Sequence, residues 1–347
     1  MRTGMSRGRV LLAFSVLLFA AVAEGKPVGE GFPVDNSFTL DKAFAKYRRD
    51  FPHIEIARVA PAAGVAVERG LVYRQLGKRP LHLDLFRPAP GTEVHGAVLL
   101  VHGGGWRSGN RTLQEPMATF LANRGFVAAT LEYRLSPEAR YPAAVVDIKA
   151  ALRWLRQRAG DYGFDPGNLA ILGASAGGQL ANLVGVTPGV EIFGGDGDPA
   201  AEAVKAIVNL DGVVSFTTPL ALKYENDPRK QPSAAGAWFG GTYEEVPELW
   251  RQASPLVYVD NPGRGEGGAG EGLEKAGENL VPTLFVNSSQ PRFHAGRDDY
   301  RAKLQRAGVA TEVMTHPQTP HAFWLFEPWF APTAARVEAF LQQHFSR

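Results

Sequence analysis

Residues 168–178 read NLAILGASAGG, and the reading of this stretch decides the fold. A short apolar run ends in Gly173-Ala174-Ser175-Ala176-Gly177, and the chain beyond it has helical character. A serine on so sharp a strand-to-helix turn is held in strained backbone geometry, with its hydroxyl projecting from the end of a sheet. Side chains at Gly173 and Gly177 would collide across the turn. The following helix aims its N-terminus at the place where negative charge develops during attack by the hydroxyl. Small residues also gather in ordinary turns, so the pattern takes its weight from its surroundings. Upstream, Val98–Val101 is a buried-strand run that leads directly into His102-Gly103-Gly104-Gly105-Trp106. Three adjacent glycines leave backbone N–H groups unshielded, which is what an oxyanion hole requires.

With both motifs in place, the sequence resembles the α/β-hydrolase superfamily, in the esterase branch that carries HGGG ahead of GxSxG and orders its triad Ser, acid, His. The likeness extends to Glu132-Tyr133-Arg134-Leu135-Ser136-Pro137, to Tyr141-Pro142-Ala143-Ala144 with Asp147 and Trp154-Leu155, and to Asp165-Pro166-Gly167-Asn168. It covers Leu71 to Phe345. The fold it implies is α/β: a mostly parallel central sheet with an antiparallel N-terminal hairpin, helices on both faces and an inserted cap segment. It also implies roles. Ser175 is the nucleophile, Gly104, Gly105 and Ala176 supply the oxyanion hole, and His321 in Thr319-Pro320-His321-Ala322-Phe323 is the base. His316 is nearer the preceding strand but lacks the small residue and aromatic that follow His321. His102 is expected to brace the glycine loop.

A serine hydroxyl must give up its proton to a positioned base, and the base in turn needs a carboxylate to fix its tautomer. Relatives place that acid just past the strand corresponding to Thr283–Val286, but here the segment reads Asn287-Ser288-Ser289-Gln290-Pro291-Arg292, without a carboxylate. We favour Asp298, which serves if residues 288–296 form a loop and a helix starts near Arg297. A helix beginning at Pro291 would turn Asp298 away from the site. Asp211, immediately after the strand candidate 204–210, is the alternative acid.

The chain has 347 residues, no cysteine and a formal charge of +2. Arg2, Arg7 and Arg9 precede an apolar run from Val10 to Ala20, and Ala21-Val22-Ala23 supplies small residues for cleavage. This predicts a signal peptide over residues 1–23, cleaved after Ala23, and a periplasmic or secreted protein. The run is shorter than the ~20 apolar residues of a membrane span, so no stable membrane anchor is expected. Cleavage would remove three arginines and no acid, taking the formal charge from +2 to −1. Nothing points to nucleic acid, and nothing fixes an oligomeric state. No HExxH or GK[ST] pattern appears, and acyl transfer by serine requires no metal or organic cofactor.

Residues 24–64 read as a leader followed by a helix over Leu40–Asp50 that Pro52 should end, and 65–347 as the hydrolase domain. Two alternating stretches between Val65 and Phe86 flank Leu76-Gly77-Lys78 and predict the hairpin. Strand candidates at 97–101, 126–131, 168–173, 204–210, 281–287 and 311–315 alternate with helical segments, as parallel pairing requires. The cap is expected at 215–255, and 261–279, rich in glycine and glutamate, as a flexible surface loop. Trp106, Trp238, Trp324, Arg292 and His294 are placed as substrate contacts, since flat rings suit sugar faces or aryl acids. The segments NSSQPRFHAGRDD and LDGVVSF resemble those of exported acetyl, methyl or feruloyl esterases of plant cell-wall glycans. The expected partner is therefore an ester, on a polysaccharide. The alternatives are a small-molecule carboxylesterase or formamidase, and, in another class, a catalytically silent hydrolase fold serving as a binding module.

Overall fold

The computed structural model describes Met1 and residues 33–194, 198–259 and 280–345. The expected signal peptide and the loop 261–279 lie outside the described residues. Eight strands form one sheet: β1 (Ala66–Leu76), β2 (Arg79–Arg87), β3 (Gly96–Val101), β4 (Phe126–Leu131), β5 (Leu169–Ala174), β6 (Ala206–Leu210), β7 (Thr283–Asn287) and β8 (Thr311–Thr315). Their spatial order is β1-β2-β4-β3-β5-β6-β7-β8. β1 and β2 make an antiparallel hairpin, β2 pairs antiparallel with β4, and the other pairings are parallel. This is the α/β-hydrolase fold.

The central parallel strands β3 and β5 are apolar throughout because both faces of the sheet are covered there. In β3, Ala97, Leu99 and Val101 point into one core while Val98 and Leu100 point into the other. Leu99 and Leu100 are fully buried, and each contributes roughly 1.5–3 kcal/mol by leaving water. Helices α1 (Leu40–Tyr47), α2 (Glu115–Ala122) and α6 (Phe330–Phe345) cover one face. Helices α3 (Ala143–Gln157), α4 (Ala176–Gly185) and α5 (Arg297–Arg306) cover the other. α3 buries Ala144, Ile148, Ala151 and Leu155 at helical spacing, together with the carboxylate of Asp147. That carboxylate takes the guanidinium fork of Arg134 at 2.8 and 2.9 Å and a second contact from Arg74. The Tyr133-Arg134-Leu135 block and the later Asp147 are thus one clamp between the end of β4 and α3.

Several boundaries differ from expectation, three of them by two residues or more. α1 stops at Tyr47 rather than Asp50, because the chain turns there, with Phe51 N–H donating to the Tyr47 carbonyl at 2.9 Å ahead of Pro52. β7 starts at Thr283 rather than 281, since Pro282 has no N–H to give to a ladder. β6 starts at Ala206 rather than 204. The stretch after β6 folds into short helices Pro219–Glu225, Ala234–Phe239 and Pro247–Gln252. Trp238, Phe239 and Trp250 are buried, and they pack with Phe216 and Trp106 as an aromatic cluster that fastens this insertion to the sheet.

Candidate active site

Ser175 follows the last residue of β5 and opens α4, with φ 55° and ψ −121°. The turn closes only because two glycines flank it. A Cβ at Gly173 would lie 1.9 Å from the Gly177 carbonyl oxygen, and one at Gly177 would lie 2.2 Å from that of Val101. The Ser175 N–H donates to the Leu210 carbonyl at 2.8 Å, and the Asp211 N–H to that of Val286 at 3.0 Å. The parallel ladder therefore continues one residue past the strands and sets Ser175 and Asp211 side by side. All four non-glycine residues with positive φ among the described residues, Trp106, Ser175, Asp211 and Gln318, sit in loops at the carboxyl ends of β3, β5, β6 and β8. Strain of this kind persists only where surrounding structure over-determines it, and here it surrounds one hydroxyl.

His321 comes from the loop after β8. Its Nε2 lies 2.8 Å from Ser175 Oγ and its Nδ1 2.8 Å from Asp211 Oδ2. The other oxygen of Asp211 accepts the Ser288 backbone N–H at 2.8 Å and the Asn287 side-chain amide at 3.1 Å, and the residue is fully buried. A side chain that accepts at Oδ2 from the imidazole holds the Nδ1–H tautomer, which leaves Nε2 as the acceptor facing Ser175. Phe293 stacks flat on the imidazole with ring centroids 3.5 Å apart, and Trp324 meets it edge-on at 5.2 Å. Burial in this aromatic slot pushes the His321 pKa down, while the hydrogen bond and charge of Asp211 oppose the shift.

The preference for Asp298 is corrected. α5 does start at Arg297, but Asp298 is 71% exposed on its first turn and pairs with Arg297 at 2.9 Å. Chain direction explains this: Pro291–His294 forms a short 3-10 turn, and Gly296, at φ 78°, sends α5 away from His321. The residues at the family's usual acid position, Asn287 and Ser288, serve instead as donors to Asp211.

A Cβ on Gly103 would touch that of Ser175 at 2.9 Å, so the glycine loop lies directly against the serine. No hydrogen bond among the described residues engages the N–H groups of Gly104, Gly105 or Ala176, and Gly104, Gly105 and Ser175 line one pocket. Gly104, at φ 131°, tolerates no side chain: a Cβ would lie 2.0 Å from the Ser108 carbonyl oxygen. His102 is buried behind the loop, stacked on Tyr133 at 4.5 Å, with its Nδ1 2.8 Å from the Gly103 carbonyl oxygen. Burial drops its pKa to about 4, so the ring is neutral and can donate Nδ1–H to that carbonyl.

A BD-FAE family model matches residues 83–263, a span that contains Ser175 and Asp211. The chain belongs to the BD-FAE family. BD-FAE is a family of α/β-hydrolase esterases. It is similar to the probable carboxylic ester hydrolase LipM of Mycobacterium tuberculosis, 36% identical over 280 residues that make up 77% of this chain and 59% of the relative. Esterase LipQ of the same organism is 29% identical over 71% of this chain and 55% of its own length. The BD-FAE chain thus spans about three fifths or less of these two relatives. Among solved structures, a truncated carbohydrate esterase from gut microbiota superposes with a TM-score of 0.61 at 20% identity, covering 83% of this chain and all of that one. Esterase 2 of Thermogutta terrifontis, phosphoramylated by tabun, gives 0.61 at 21% identity over 82% and 97%.

In this BD-FAE chain the pocket at Ser175 has a volume of about 330 Å³. Of the expected substrate contacts, Trp324 and Arg292 line it, though the Arg292 fork is bound to the buried Glu225 at 2.8 and 3.0 Å. Trp106 and Trp238 do not line it. They stack on each other in the core at 5.1 Å, and the Trp106 indole N–H donates to Gln179. His294 faces the Ser288 carbonyl at 2.9 Å, behind the pocket wall. A larger cavity of about 750 Å³ lies in the inserted segment, between Arg140 and Lys230, away from Ser175.

Sequence reasoning missed the opposite wall. Phe38, Lys42, Lys46 and Tyr47 of α1 and the residues before it line the pocket together with Ser175 and His321. Burial, and next the nearby Asp211 charge, push the Tyr47 pKa to about 12, so its phenol keeps its proton. The one available signal was the amphipathic face of Phe44 and Tyr47, which shows that a surface is covered but not which one.

Proposed function

We propose that this chain is a serine carboxylic-ester hydrolase, and the observation that carries the proposal is the contact of Ser175 Oγ with His321 Nε2 at 2.8 Å, backed by Asp211 at 2.8 Å. Ser175 Oγ attacks the ester carbonyl carbon as His321 Nε2 takes its proton. Charge collects on the carbonyl oxygen, and the N–H groups of Ala176, Gly104 and Gly105 are the donors to receive it; one such donor is typically worth about 3 kcal/mol. Collapse breaks the bond to the alcohol, which leaves with the proton from His321. Water, deprotonated by the same imidazole, then attacks the acyl-serine and releases the acid, regenerating Ser175. The names of LipM, a probable carboxylic ester hydrolase, and LipQ, an esterase, support the same chemistry.

We further propose that the ester is an acetyl, methyl or feruloyl group on a plant-type polysaccharide and that the protein works after export with residues 1–23 removed. The fold shared with a carbohydrate esterase and an open pocket with Trp324 and Phe38 in its walls support the first part. The residues of the array are all present and in hydrogen-bond contact, which argues against a silent binding module. The purified protein should release acetate, methanol or ferulate from plant cell-wall glycans, and Ser175→Ala should release none. Cleavage of p-nitrophenyl acetate without any release from glycans would reduce the reading to a small-molecule carboxylesterase.

A further inference from the structure

Lys42, Lys46, Arg107 and Arg292 all line the pocket at Ser175, and among the described residues no carboxylate lines it. Two of these cations are already neutralised. Arg107 pairs with Asp35 at 2.5 Å, and Arg292 with Glu225 at 2.8 Å. Lys42 and Lys46 form no ion pair among the described residues: Lys42 Nζ donates to the Asn36 carbonyl at 2.6 Å, and Lys46 Nζ lies 5.0 Å from the Tyr47 ring centroid. The negative charge of Asp211 does not offset them, because it sits behind His321 with both oxygens occupied. The pocket thus carries an excess of two positive charges on the α1 wall, facing the loop that holds the nucleophile. A concave site lined by one sign of charge concentrates the opposite sign.

Resting on the esterase reading, we infer that α1 is the specificity element of this site and that Lys42 and Lys46 select an ester whose molecule also bears a carboxylate, as an acetylated acidic sugar does. A neutral ester of the same size meets the same nucleophile but gains nothing from these two ammonium groups. Exposed pairs of this kind are individually modest, so two of them favour the acidic substrate on the order of tenfold at low salt. The preference must fade as salt shortens the reach of the charges.

Binding to the Ser175→Ala protein separates this inference from the chemistry, because no turnover is needed. The Kd of an O-acetylated methyl glucuronoside and of the matching acetylated methyl glucoside would be measured by titration calorimetry in about 20 mM and about 0.5 M salt. The acidic sugar should bind ~10-fold tighter at low salt and nearly equally at high salt. Adding Lys42→Glu and Lys46→Glu should abolish or invert the ratio. Equal Kd values at low salt, or a ratio that survives the double charge reversal, would overturn the inference. Loss of hydrolysis by the wild-type protein, with the binding ratio intact, would count against the esterase reading alone.

Discussion

Replacing Asp211 by Asn keeps the shape of the buried side chain and removes its charge, and the surrounding donors then dictate how the new amide must lie. The Ser288 N–H and the Asn287 amide both donate to Oδ1, so the introduced amide must turn its carbonyl oxygen toward them and its NH₂ toward His321 Nδ1. Nδ1 then becomes the acceptor, the ring proton moves to Nε2, and that proton faces Ser175 Oγ across the 2.8 Å contact. An imidazole in this tautomer cannot accept the serine proton. The expected loss is about 10⁴ in kcat, or about 5 kcal/mol of transition-state stabilisation. Turnover of p-nitrophenyl acetate followed by absorbance gives the rate, and thermal unfolding shows that the fold is retained. Asp298→Asn is the companion variant. Its carboxylate is 71% exposed and pairs with Arg297 and Arg301 rather than with His321, so kcat should stay within about twofold of wild type. The reasoning is refuted if Asp211→Asn keeps more than about a tenth of the activity, or if Asp298→Asn is the damaged protein.

The same geometry fixes three further outcomes. His321 must be neutral to act as base, and burial lowers its pKa below the usual histidine value of 6.5, so kcat/KM should rise along a single limb whose midpoint lies below pH 6.5 and then level off; a midpoint above 7 would contradict the burial argument. His102 is depressed from 6.5 to about 4, so the native state binds fewer protons than the unfolded chain. Its contribution is fully present above pH 6.5 and is lost as pH falls toward 4, by about 3 kcal/mol. Urea unfolding of wild type and His102→Gln at pH 7 and pH 4.5 checks this, with a smaller pH effect expected in the variant. Trp238→Ala should cost about 3–5 kcal/mol in stability because the ring is fully buried against Trp106. It should leave KM for p-nitrophenyl acetate nearly unchanged, and a large KM effect with normal stability would restore Trp238 as a substrate contact.

How legible each part of the molecule was in its sequence depends on the range over which the relevant signal acts. The central parallel strands were readable because burial on both faces forces continuous apolar runs, as in Leu169–Leu172 and Phe126–Ala129. The elbow was readable because Gly173 is required by a contact with Gly177 only four residues on, within one short motif. The acid was not, because its identity depends on which neighbouring strand ends level with Ser175. Asp211 follows β6 just as Ser175 follows β5, and the register Ala174 opposite Leu210 makes them neighbours. No local pattern states that register, whereas the polar run after β7 drew attention to the wrong loop. Trp106 and Trp238 misled for a related reason: Trp106 adjoins the glycine loop in sequence, but its ring turns inward onto Trp238. The α1 wall lies more than 100 residues before Ser175, so only tertiary packing brings Lys42 and Lys46 to the pocket.

The central claim is that one hydroxyl in this chain is made nucleophilic by its partners, and covalent trapping reads that directly. The protein would be treated with a fluorophosphonate, weighed intact, and digested to locate the adduct. The account predicts one equivalent of phosphonate, on Ser175, formed rapidly by wild type and hardly at all by Asp211→Asn or His321→Ala. Protein that remains unmodified, or that is labelled equally well without His321, would contradict it.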